Sequence, residues 1–113
     1  MLIQDYLITS AQAYPDKEAL IQAGARTTYG ELLTGAAAVA DWLHDEKLRH
    51  GDRVAILSDN PPEYVMAYFG ILMAGGIAVP LNTQPSSKTL EYLFNHCGIS
   101  YLLTQDQYLT YLR

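Results

Sequence analysis

The stretch Gly70–Asn82, GILMAGGIAVPLN, decides how this chain folds. It holds paired glycines, an apolar run and a proline, and no charge. Three readings compete: a glycine loop that cradles phosphate, part of a membrane span, or a helix-to-strand joint. A phosphate loop follows a strand and opens a helix, so that free N–H groups and the positive end of the helix dipole meet the anion. Gly75-Gly76 stands the other way round, after a helical run and before the strand-like IAVP, at the negative end of the helix. Neither G-x-x-x-x-G-K-[ST] nor G-x-G-x-x-G occurs in the chain. The uncharged run from Tyr64 to Leu81 only reaches the lower limit for a spanning helix. Pro80 and the polar residues 82–87 leave it no apolar margin. The joint remains: a buried helix closed by glycine, then a short buried strand.

On either side of the joint, helix and strand alternate. Upstream, Arg53–Leu57 (RVAIL) reads as an apolar strand. In SDNPPEY, Asn60 is a good N-cap, Pro61 fits the first helical turn, and Glu63 lies three after the cap. The helix 61–74 is apolar on nearly every side after Glu63, and such a helix is buried on every side. Downstream, Ile77–Pro80 is a strand. Ser86 is the expected cap of a helix with Leu90, Leu93, Phe94 and Cys97 on its inner stripe and Gly98 closing it. Ile99–Thr104 is a third parallel strand. The tail QDQYLTYLR (105–113) reads as the start of a further helix cut off at Arg113.

Nearer the N-terminus, Leu2, Ile3, Tyr6, Leu7 and Ala11 have helical spacing, ending near Tyr14-Pro15. Ala19–Gln22 and Thr27–Tyr29 flank AGAR as a hairpin, with Gly24 supplying the turn. Thr28-Tyr29-Gly30-Glu31 matches a capping box. The helix it opens puts Leu32, Leu33, Ala36, Val39, Ala40 and Leu43 on one side. It is expected to end in KLRHG, with basic residues in the last turn and Gly51 turning left-handed. Strands joined through helices by short connections imply parallel pairing and right-handed crossovers. The predicted class is α/β: a three-layer sandwich with a short parallel βαβαβ sheet, plus an N-terminal helix and hairpin.

Composition narrows the function. The 113 residues suffice for one domain with a modest core. Net charge is −5, and the seven basic residues are scattered singly. That argues against nucleic acid and against an anionic membrane surface. The single cysteine, Cys97, excludes an intrachain disulfide and fits a reducing, cytoplasmic setting. The opening MLIQDYLITSAQAYPDKEAL lacks the basic n-region of a secretory signal.

No complete catalytic constellation is visible, and no catalytic, cofactor-binding or metal-binding residue is assigned. At the sheet edge where ligands usually bind lie SDN (58–60) and LNTQPSS (81–87). Asp59, Asn60 and Asn82 could touch a ligand there, although Asx residues in such places more often serve turns and caps. His44, His50 and His96 lack ligand spacing. His96 is expected to face solvent beside a buried structural Cys97. No G-x-S-x-G elbow presents a nucleophile.

Four motifs, in order and at their spacing, carry a resemblance: TYGEL (28–32), GDRVAI (51–56), NPPEY (60–64) and AGGIAVPLN (74–82). YPDKEAL (14–20) and LEYLFNHCGISYLLT (90–104) extend it. Together they resemble the opening of AMP-forming acyl-CoA synthetases, in the adenylate-forming superfamily that also holds firefly luciferase and peptide-synthetase adenylation domains. Asn82 resembles the acyl- and aryl-CoA ligase branch, since peptide-synthetase domains usually carry aspartate there. Ser86-Ser87-Lys88-Thr89 departs from the family's usual cap followed by proline and glutamates.

The resemblance implies a segment, residues 1–113, of the large N-terminal domain of a much longer enzyme. That enzyme would use ATP and magnesium to make an acyl-adenylate, then pass the acyl group to coenzyme A. The family's phosphate loop, ribose-binding aspartate, magnesium-linked glutamate and C-terminal lysine all lie downstream, so none is carried over. On this reading the remainder of the enzyme packs on helix 61–74, and the isolated segment exposes Tyr64, Tyr68 and Phe69 and tends to self-associate. Two other expectations stand beside it: a stand-alone flavodoxin-like binding module, and a non-catalytic half that complements a separately encoded remainder.

Overall fold

The elements run α1 (Ile3–Ala13), β1 (Glu18–Gln22), β2 (Ala25–Thr28), α2 (Tyr29–Asp45), β3 (Arg53–Leu57), α3 (Pro61–Met73), β4 (Ile77–Pro80), α4 (Ser87–His96) and β5 (Ile99–Thr104). They are seen in a computed structural model that describes residues 2–22, 24–81, 87–96 and 98–104. Asn82, Ser86, Cys97 and the 105–113 tail lie outside the described residues, as do the side chains of Leu90 and Leu93.

β3 is the axis of the fold. Val54 to Leu57 are buried on both faces, as a central parallel strand must be. The sheet order is β4-β3-β5, all parallel, with Val54 opposite Ala78 on one side and Tyr101 on the other. The connections β3–α3–β4 and β4–α4–β5 run in opposite directions across the sheet. Right-handed crossovers therefore place α3 and α4 on opposite faces. With α2 packed along α3, the expected α/β architecture is present. The hairpin β1–β2 forms a separate antiparallel pair.

Two apolar clusters hold these parts together. Leu43 of α2, Val54 and Ile56 of β3, and Ala67 and Ile71 of α3 form the first. Leu7 of α1 with Leu32 and Ala36 of α2 form the second, against Leu20, Val65, Met66 and Phe69. α3 lies between them, which explains its composition. Glu63 is its one exposed side chain, and every other position is buried or half-buried. Among the described residues no helix is long and apolar enough to cross a membrane.

The structure corrects three local expectations. α2 ends at Asp45, well before Gly51, and the left-handed residue that closes it is Lys47, with φ 64°. The amide of Leu48 donates to Leu43 O at 3.0 Å, and that of Lys47 to His44 O at 2.9 Å. This is a Schellman closure, completed by Leu48 packing on the cluster that holds Leu43. Its backbone bonds outweigh the preference for glycine, while Gly51 (φ 86°) serves a second turn before β3.

The hairpin is also tighter than expected: Ala25 and Arg26 belong to β2, and Gln22 faces Ala25. In α1 only Leu7 and Ala11 are buried, whereas Leu2, Ile3 and Tyr6 are 58–64% exposed. Tyr64, Tyr68 and Phe69 of α3 are half-buried rather than exposed, because they pack on the two clusters.

Candidate functional site

The carboxyl edge of a parallel sheet is where ligands collect in such folds. Here that edge carries a cavity of about 160 Å³. Val39, Ile56, Ala67 and Leu103 give it apolar walls, and Ser58, Glu63 and Thr104 give it polar ones. Of the residues singled out in the sequence, Asp59 and Asn60 belong to the loop at this edge, and Asn82 lies outside the described residues. Glu63 and Thr104 were not singled out as ligand candidates. Their positions, one turn into a helix and at a strand's last residue, were the available signal.

The polar groups here are largely occupied by the fold. The amide of Asn60 donates to Ser58 Oγ at 3.2 Å. Thr104 Oγ1 donates to Leu57 O at 2.8 Å. Asn60 Oδ1 accepts from the Glu63 amide at 3.4 Å, and Asn60 O accepts from the Tyr64 amide at 2.9 Å. Pro61 and Pro62 have no amide hydrogen. The first turn of α3 thus has no free N–H to offer an anion, and this removes the basis of a phosphate-binding module at SDNPP.

The paired glycines sit at the opposite edge of the sheet. Gly75 has φ 87°, and its amide and that of Gly76 donate to Leu72 O and Ile71 O at 3.1 and 2.9 Å. This second Schellman closure consumes the donors that a phosphate loop would need. Gly75 O accepts from the Gly51 amide at 2.9 Å, and the Ile77 amide donates to Asp52 O at 2.8 Å, which starts β4 alongside β3. A Cβ on Gly76 would stand 3.0 Å from Ile71 and 3.2 Å from both Asp52 O and Leu48.

TYGEL is structural in the same sense. Thr28 Oγ1 accepts from the Glu31 amide at 3.1 Å, while Glu31 Oε1 accepts from the Thr28 amide at 3.2 Å. The Gly30 amide donates to Pro15 O at 2.9 Å, and a Cβ there would sit equally close to that oxygen.

Among the described residues no three His, Cys, Asp or Glu side chains converge to hold a metal ion. His44, His50 and His96 are all exposed, with His96 beside the ring of Tyr92 at 4.6 Å.

Comparison with known proteins then decides the family. The model of the family described as AMP-binding enzyme matches residues 7–112. The chain belongs to the AMP-binding enzyme family. It is 38% identical over 104 residues to a long-chain-fatty-acid–CoA ligase of Bacillus subtilis, covering 92% of this chain and 19% of that protein. It is 31% identical over 105 residues to a pyochelin synthetase of Pseudomonas aeruginosa, covering 93% of this chain and 7% of that protein. Among solved structures, an anthranilate CoA ligase in complex with anthranoyl-AMP superposes with a TM-score of 0.89 at 27% identity, over 96% of this chain and 21% of that one. This family member therefore spans about a fifth of the length of those two ligases. It corresponds to the N-terminal part of acyl- and aryl-CoA ligases and adenylation domains.

Proposed function

We propose that residues 1–113 are a structural segment of the large domain of an ATP-dependent acid–thiol ligase. In that reaction a carboxylate oxygen attacks the α-phosphorus of ATP and pyrophosphate leaves. The thiol sulfur of coenzyme A then attacks the acyl carbon, loses its proton, and displaces AMP. The observation that carries this reading is the family match across residues 7–112, with a fatty-acid–CoA ligase at 38% identity. The geometry supports a structural role for the segment. TYGEL and the described part of AGGIAVPLN, residues 74–81, are used in a cap, a helix closure and backbone bonds to neighbouring segments. ATP, magnesium and coenzyme A are assigned to other parts of the enzyme, the remainder of which packs against this segment, and the enzyme is assigned to the cytoplasm.

Two measurements test this. The product of the complete reading frame is assayed for acid-dependent ATP–pyrophosphate exchange and for thioester formation, over a panel of aliphatic and aryl carboxylic acids. Exchange with at least one acid is expected, and none across the panel overturns the ligase reading. Calorimetry of the 113-residue chain with ATP and magnesium is expected to show no binding. Micromolar affinity would overturn the structural role while leaving the family untouched.

A further inference from the structure

We draw no further inference here: the strongest candidate, the apolar groove between α1, the β1–β2 hairpin and α3, walled by Tyr6, Leu7, Leu20, Leu32 and Phe69, carries nothing, because nothing in the structure shows what covers it.

Discussion

Gly70 of α3 is pressed against Ala36 of α2: a Cβ at position 70 would stand 2.7 Å from the Ala36 carbonyl oxygen and 2.6 Å from Val39. Backbone meets side chain here with no slack, and this contact sets how closely the two helices cross. Gly70→Ala is therefore expected to destabilise the chain by about 1–3 kcal/mol, because a carbonyl in a helix cannot step aside. Gly35, one residue before Ala36, is a useful control. The three atoms nearest a Cβ there all belong to the side chain of Met66, which has three rotatable bonds and can swing away. Urea unfolding should rank Gly70→Ala clearly below Gly35→Ala. Equal midpoints would mean that the helices separate freely and that the close crossing is not needed.

Lys47 holds a left-handed conformation that glycine adopts without strain. The Schellman bonds at the end of α2 involve only backbone atoms, so they survive substitution. Lys47→Gly should relieve about 1 kcal/mol of backbone strain, offset in part by the greater freedom of glycine in the unfolded chain. A small net rise in melting temperature is the expected result. A fall of several degrees would show that the lysine side chain does more than the backbone geometry indicates.

Gly24 and Gly75 have nearly the same positive φ, 84° and 87°, in different surroundings. A Cβ on Gly24 meets nothing within 4 Å, whereas one on Gly75 comes within 3.1 Å of the His50 ring. Gly24→Ala should thus report the conformational cost alone, about 1–2 kcal/mol. Gly75→Ala should cost at least as much, and part of the excess should be recovered when His50 is also changed to alanine. A double-mutant cycle measures that coupling. Strict additivity would place the whole penalty in the backbone.

Much of this fold is legible in the sequence because several local signals agree. Asn60, Pro61 and Glu63 fix the start of α3, and RVAIL, IAVP and ISYLLT announce three strands, of which only the central RVAIL is buried; IAVP, expected as a buried strand, lies at the sheet edge with Ile77 47% exposed. What was not legible depends on partners distant in the chain. Lys47 carries no propensity signal for a left-handed cap; the site exists because Leu48 reaches the cluster beneath it. The exposure of Leu2, Ile3 and Tyr6 was hidden for a similar reason, since helical spacing reveals a stripe and not what covers it. The same limit applies to the sheet-edge cavity. Glu63 and Thr104 are far apart in sequence, and only the pairing of β3 with β5 brings them to one wall.

The TYGEL motif permits a last, sharper test. Thr28 caps α2 through a reciprocal pair of bonds with Glu31, and both partners are needed for the full effect. Thr28→Ala should cost about 1 kcal/mol, within the range seen when helix caps are removed. Thr28→Ser keeps the oxygen that accepts from the Glu31 amide and should recover most of that loss. Glu31→Gln keeps an acceptor for the Thr28 amide but loses the negative charge near the positive end of the helix, so its cost should be smaller and should shrink further in high salt. If serine at position 28 were as destabilising as alanine, the role of Thr28 would lie in its methyl group and in β2 packing, and the cap would not be what holds the start of α2.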